Sequence, residues 1–270
     1  MEYIPPHSNY IELFAGGASM FFAKPKANYN WLNNIDKNLV NCYEIIRDQA
    51  HELIYALNGE VATKERHAYY KNEFKPQSDL ELAIRWFYLN RTSYSGIMNM
   101  KNCYFGYGDK FSMRPENWAA NIERTAQKLQ QVKLTSFDFE EIIGQLNYDE
   151  NTFLFIDPPY YNADQDKFYT HAFTRQDHLR LANLLKDNQH KFNFLLTYDN
   201  CSEVRELYQW AENIVEKEWN YAISRTDDQK HKTDHKGTRN KGQEIFITNF
   251  AKQKNVLLEL PFESSEIRLV

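Results

Sequence analysis

Phe153-Leu154-Phe155-Ile156-Asp157-Pro158-Pro159-Tyr160 is the stretch on which the reading of this chain turns. Its first four residues are apolar, aromatic or branched, and the run is short. It reads as a strand buried on both faces of a parallel sheet. Two prolines then stop the strand, because proline has no N–H to donate and restricts the residue before it. An acid and an aromatic ring are thereby held at the carboxyl end of a sheet strand, where open α/β sheets place their ligand sites. The pair suits a flat guest bearing an amine: the carboxylate accepts its hydrogen and the ring stacks on its plane. The same residues also fit a strand with a Pro-Pro turn, a capping Asp and a core Tyr, so the rest of the chain has to decide.

A second stretch supports a site. Tyr10-Ile11-Glu12-Leu13-Phe14 is strand-like, Ala15-Gly16-Gly17-Ala18-Ser19 follows, and Met20-Phe21-Phe22 can start a helix. Strand, glycine turn, helix lets backbone approach a ligand closely. The spacing is neither Gly-x-Gly-x-x-Gly nor a phosphate loop ending in Gly-Lys-Ser/Thr, which points to a cofactor without a pyrophosphate. Trp31-Leu32-Asn33-Asn34-Ile35-Asp36 ends in polar residues where a ribose hydroxyl pair could be held. Without a ligand, the glycines would be a tight turn only.

The remaining pattern predicts an α/β fold. Apolar residues at helical spacing run from Leu39 to Arg47. Between about 51 and 134 the chain turns to polar helices, with one strong helix from Leu80 to Leu89 and another from Glu116 to Gln131. Between these two, Tyr94 to Ser112 is rich in Gly, Asn, Tyr and Lys and reads as an exposed hairpin or loop. From 132 onward strand and helix alternate: Val132–Ser136, Glu140–Leu146, Phe153–Ile156, Gln176–Lys186, Phe192–Thr197. That alternation predicts a parallel sheet. Glu218–Ile223 and Glu244–Thr248 read as a final antiparallel pair. Their connection, Arg225 to Gly242, carries six Lys/Arg and two His against three Asp. It is either a solvated loop or an arm for phosphates. The region of Arg91, Lys101 and Lys110, where aromatics interleave with basic residues, is the other candidate for nucleic-acid contact.

Composition sets limits. A chain of 270 residues accommodates one catalytic domain with one insertion. A net charge of −5 excludes a uniformly basic nucleic-acid binder, so any such contact needs a local basic face. Cys42, Cys103 and Cys201 stand far apart, without a Cys-x-x-Cys, which argues against zinc or a disulfide framework and fits a reducing cytoplasm. No apolar run reaches membrane-spanning length.

Taken together these segments resemble the Dam-type DNA adenine methyltransferases, and the resemblance covers most of the chain. Phe14-Ala15-Gly16-Gly17-Ala18-Ser19 resembles the family's S-adenosylmethionine motif, and Asn33 to Asn41 its ribose-binding segment. Asn90-Arg91-Thr92-Ser93-Tyr94-Ser95-Gly96 resembles its recognition segment, Ser136-Phe137-Asp138-Phe139 its adenine-contact segment, and Asp157-Pro158-Pro159-Tyr160 its catalytic motif. The five stand in the family's order. The resemblance implies a Rossmann-like sheet with helices on both faces. A catalytic domain would comprise 1–50 and 135–255, a target-recognition insertion 51–134 and a tail 256–270.

The implied activity is methyl transfer from S-adenosylmethionine to the 6-amino group of an adenine flipped out of duplex DNA. RNA adenine methylation, or a catalytically silent DNA-binding relative, is the alternative. Asp157, Pro158, Pro159 and Tyr160 would be catalytic. The cofactor would meet Glu12, Phe14, Ala15, Gly16, Gly17, Asn34, Asp36, Asp138 and Asp157, although Asp138 alone reads as a helix cap. DNA would meet Arg91, Tyr94, Lys101, Lys230, Lys232 and Lys236. Lys24, Glu44 and Arg47 read as solvated. No metal and no membrane are expected; a monomer is, and a cognate restriction endonuclease is a candidate partner. Three departures stand out. Asn34 replaces the usual Asp, Tyr94 replaces Phe, and the upstream Gly-Gly-Lys segment is absent, so weak cofactor binding is expected of the chain as given.

Overall fold

The computed structural model describes residues 3–108, 112–163, 170–220 and 241–251, with backbone only at 218–220 and 241–243. Lys110, Lys230, Lys232, Lys236, Tyr221 to Ile223, most of the Arg225–Gly242 connection and the 256–270 tail lie outside the described residues.

Seven strands form one sheet: β1 (Asn9–Glu12), β2 (Tyr29–Asn33), β3 (Lys133–Thr135), β4 (Thr152–Ile156), β5 (Asn193–Asp199), β6 (Asn213–Asn220) and β7 (Lys241–Thr248). Their spatial order is β3-β2-β1-β4-β5-β7-β6. The first five run parallel, β1 pairing with both β2 and β4, while β7 is antiparallel to β5 and β6. Helices cover both faces, as a parallel sheet requires. The strand period of two sorts the side chains. Tyr10, Leu32, Phe153, Phe155 and Leu195 enter one apolar cluster, and Ile11, Trp31, Leu154, Ile156 and Leu196 enter the other. All five residues of β4 are buried.

The second face is covered by α7 (Phe139–Gln145), α8 (Arg175–Asn188) and α9 (Ser202–Leu207), and the first by α1 (Ser19–Ala23) and α2 (Lys37–Asp48) with helices of the insertion. These are α3 (Ala50–Leu57), α4 (Lys64–Ala68), which runs on into a π-helical turn at Tyr69–Glu73, α5 (Asp79–Thr92) and α6 (Trp118–Leu129). Both α5 and α6 pack on α2. Phe87, Leu89, Trp118 and Ile122 therefore belong to the same apolar cluster as the sheet's first face.

The recognition segment leaves α5 as a loop closed by one antiparallel bridge, Ser93 to Phe105. Tyr94 N–H donates to Tyr104 O and Gly106 N–H to Thr92 O, both at 2.9 Å. Gly106 is required there: a Cβ would sit 2.3 Å from the Tyr94 Cα. Buried His67 ties the base of the loop to α4, its Nδ1 2.8 Å from the Thr92 hydroxyl.

Some expectations need correction. Lys24 is buried, not solvated, with Nζ 4.1 Å from the centroid of the Tyr10 ring. Glu44 and Arg47 are half-buried, and Arg47 donates to Val132 O at 2.8 Å. The last pair begins earlier than Glu218, because Ile214 and Val215 already pair with Ile247 and Phe246. The short helix α9 was not anticipated.

One buried side chain fastens three strand ends together. Asn33 Nδ2 donates to Leu13 O and Phe137 O, both at 3.0 Å, and its Oδ1 accepts from the Thr135 hydroxyl at 2.8 Å and from Phe137 N–H at 2.9 Å. Asn33→Ala orphans several buried groups and is expected to cost about 2–4 kcal/mol. Urea unfolding would measure it, and a loss below about 1 kcal/mol would show that the cross-link is dispensable.

Candidate active site

The carboxyl end of β4 presents Asp157 to a cavity of about 190 Å³. Met20, Phe155, Leu195 and Phe246 supply its apolar wall, while Asp157, Tyr160, Thr197 and Glu244 supply its polar groups. Pro158 is buried and Tyr160 half-buried, its ring centroid 6.3 Å from that of Tyr198. The Thr197 hydroxyl donates to Asp157 Oδ1 at 2.6 Å. Asp157 meets solvent through the cavity mouth but has protein packed closely around the rest of its carboxyl. That packing pushes its pKa up to about 6; the Thr197 bond pulls it down and the charge of Glu244 pushes it up.

The next strand holds the motif in place. Asp199, at the end of β5, accepts from the backbone N–H of Tyr161 at 2.8 Å and of Asn162 at 3.1 Å, and from Asn162 Nδ2 at 2.9 Å. Behind it, buried His178 hydrogen-bonds Tyr198, and burial drives its pKa down to about 4, so the ring is neutral at pH 7. Tyr161 packs on that ring, centroids 4.9 Å apart.

Glu12 stands one strand away and is almost completely buried. Its Oε1 accepts from the Tyr10 hydroxyl and from Phe21 N–H, both at 2.6 Å. Burial pushes Glu12 up to about 7; the two hydrogen bonds and Lys24 oppose this, and the charge of Asp157 adds to it. Gly16 has φ +48°, a conformation that favours glycine, and no heavy atom lies within 4 Å of where its Cβ would stand. Its carbonyl accepts from the Tyr43 hydroxyl at 2.8 Å, which ties the glycine turn to α2. Phe14 leans on Phe139 and Phe173, at 5.8 and 5.5 Å between centroids.

Other expected residues have structural duties as well. Asp36 caps α2, accepting from Asn38 N–H at 2.9 Å, and its other oxygen accepts from Thr170 at 3.0 Å. Asn34 Oδ1 accepts from Asp36 N–H at 2.9 Å. Asp138 caps α7 in a capping box and pairs with both terminal nitrogens of Arg180 at 2.9 Å. Arg91 faces inward. It donates to Asn90 Oδ1 at 2.8 Å and lies near Cys42 and Tyr43, and burial lowers its pKa to about 10. Tyr94 and Lys101 are exposed on the recognition segment. A second cavity, about 500 Å³, joins that segment to the sheet, with Asp36 and Thr170 on one side and Arg85, Trp86, Met98 and Lys101 on the other. A further cavity, about 800 Å³, lies between Leu57, Val61, Trp118 and Ile122 and shares no residue with the site.

Sequence reasoning gave no role to Thr197, Asp199 or Glu244, and named Asn33 only as part of the ribose-binding segment. Thr197 carried a signal: it is a hydroxyl directly after the apolar run Phe194-Leu195-Leu196. Ile35 and Phe137, exposed apolar side chains (45% and 38%) just past β2 and β3, lie in the segments expected to meet the ribose and the adenine but were given no role of their own.

Sheet order and site define a Rossmann-like methyltransferase. The chain belongs to the family described as D12 class N6 adenine-specific DNA methyltransferase, whose model matches residues 1–223. It is a DNA adenine methyltransferase, with DNA as its substrate. A relative from Paramecium bursaria Chlorella virus NC1A, Type II methyltransferase M.CviBI, is 29% identical over 82% of this chain and 85% of its own length. Type II methyltransferase M1.LlaDCHI of Lactococcus lactis subsp. cremoris is 25% identical over 93% and 90%. The DNA adenine methylase of Escherichia coli (strain K12) is 23% identical over 80% and 81%. Among the described residues, no helix is long and apolar enough to cross a membrane, and no cluster of His, Cys, Asp and Glu is placed to hold a metal ion.

Asp199→Ala should release the Tyr161–Asn162 backbone without unfolding the sheet. Methyl transfer is expected to fall about tenfold or more, with faster proteolysis near Tyr161. Unchanged turnover together with unchanged proteolysis would show that the loop needs no anchor.

Proposed function

We infer that the chain methylates the 6-amino group of an adenine rotated out of duplex DNA into the cavity before Asp157, with S-adenosylmethionine as the methyl source. The observation that carries this is Asp157 itself: an acid at a buried strand's end, facing an aromatic-walled cavity, with Oδ1 held by Thr197. The residues present fit the cofactor. Gly16 leaves backbone open, and the acid of Glu12 suits the methionine ammonium. Asn34 suits a ribose hydroxyl through its Nδ2, a donor, while its Oδ1 and both Asp36 oxygens are engaged. Ile35 and Phe137 offer apolar surface to a purine. In this reading Phe14, Ala15 and Gly17 shape the turn, and Asp138 orders the loop beside the purine.

When bound, S-adenosylmethionine supplies an electrophilic methyl on a sulfonium. The protein's task is alignment, which is worth several kcal/mol in well-oriented reactions. Asp157 Oδ2 and the Pro158 carbonyl accept the two amine hydrogens. That would draw the nitrogen lone pair out of conjugation and turn it toward the methyl donor. Tyr160 stacks on the base and offsets part of the cost of unstacking it, about a few kcal/mol. With the cofactor bound, the amine would take the methyl as the methyl–sulfur bond breaks to leave a neutral thioether, and Asp157 would face the positive charge that develops on nitrogen and accept the proton released.

Asp157→Asn or Asp157→Ala should abolish transfer while leaving the fold intact; Tyr160→Phe should keep most activity and Tyr160→Ala lose far more. The carboxylate must be ionised to accept the amine hydrogen, so kcat/KM should decline as pH falls through about 6. Transfer of radiolabelled methyl to an unmethylated duplex, followed by nucleoside analysis, checks all of these. Turnover by Asp157→Asn near the wild-type rate would remove the assignment.

Affinity for duplex DNA should fall with rising salt. The exposed Lys101 is read as one of the phosphate contacts, so Lys101→Ala should lower the slope of log K against log salt by about 1. A slope that does not change would take Lys101 off the DNA. A cytoplasmic location, a monomeric state and a cognate restriction endonuclease fit this reading, and Lys230, Lys232 and Lys236 remain candidate phosphate contacts.

A further inference from the structure

We propose that Thr197 and Glu244 are positioning residues for Asp157: Thr197 pins one carboxylate oxygen so that the other meets the guest of the cavity, and Glu244 sets a second acid across the same cavity. The inference rests on the methylation reading only for the identity of the guest.

The strand register gives it its geometry. In the antiparallel pair of β5 and β7, Thr197 stands opposite Phe246 and Asp199 opposite Glu244. Directly opposed residues project to one face of a sheet. Thr197, Phe246 and Glu244 accordingly line one cavity with Asp157 and Phe155 of the neighbouring strand. The Thr197 hydroxyl is buried, and its 2.6 Å bond to Oδ1 fixes how the carboxylate is rotated.

The charged groups around Asp157 come from two sides. Glu12 flanks it from β1, with Lys24 beyond, and Glu244 faces it from β7. The neighbour from β5 is neutral Thr197, whose bond favours the ionised acid, whereas the negative charge of Glu244 disfavours it. The two residues therefore act on one carboxylate with opposite sign. A pair of acids suits an amino-bearing base, whose hydrogens both can attract, and repels a keto base, whose oxygen meets only oxygens. It also stabilises positive charge growing on the amine more than a single acid would.

The test is titration of the Asp157 carboxyl by carbon-13 NMR on protein labelled at aspartate, its signal identified by its absence in D157N. In T197V the midpoint should rise by about one pH unit, since a hydrogen bond to the charged form is lost. T197S should return it to the wild-type value. E244Q should lower it by about half a unit. Methyl transfer to duplex DNA is measured in parallel. There T197V should lose about ten- to a hundredfold in kcat with the KM for S-adenosylmethionine unchanged, and T197S should recover it. A midpoint unmoved in T197V or in E244Q overturns the proposal. Midpoints that move as stated while the wild-type chain leaves adenine unmethylated would support the positioning roles and refute the methylation reading.

Discussion

The site depends on a strand that is buried on both faces and ends in an acid. Residues 152–156 bury every side chain, alternating between two apolar clusters, so the strand cannot slide by one residue without inverting both packings. Pro158 and Pro159 then prevent the sheet from continuing. Asp157 is thus located by packing that has nothing to do with its chemistry. Its rotation about the side chain is left to a single hydroxyl on the next strand.

The carboxyl end of the sheet gathers acids from four strands, and each is handled differently. Glu12 is buried and satisfied by a phenol and a backbone N–H. Asp157 keeps one oxygen toward the cavity. Asp199 gives both oxygens to the backbone and side chain of the loop after β4. Glu244 closes the row from the antiparallel edge. Like charges this near raise one another's pKa values, which shows in both Glu12 and Asp157. A cationic guest relieves that repulsion. The assembly is therefore a trap for positive charge, although the chain itself carries only a modest net negative charge.

The helices between residues 50 and 129 are fastened to this arrangement by shared apolar packing. Helices α5 and α6 lie on α2, and α2 in turn holds the glycine turn through Tyr43. The segment after α5 is pinned at its base by His67 and by Gly106, which packs on Tyr94; the Tyr94 side chain and, farther along, Lys101 are exposed.

By itself the sequence determined the strand-turn-helix alternation, the parallel sheet, the glycine turn and the acid at the end of β4. Each of these is written in local periodicity and in the backbone limits of glycine and proline. Asp138 was legible as a cap for the same reason, since capping is a contact between near neighbours in the chain. The tertiary structure alone decided what joins distant segments. Asn33 bridges three strand ends, Thr197 reaches Asp157 across forty positions, and Glu244 faces the same cavity from the other side of β5. It also decided that Arg91, read as a DNA contact, turns inward and that Lys24, read as solvated, is buried, because what a charged side chain meets depends on neighbours from distant elements. Periodicity fixes which face a residue takes, but only the packing of whole elements fixes what that face meets.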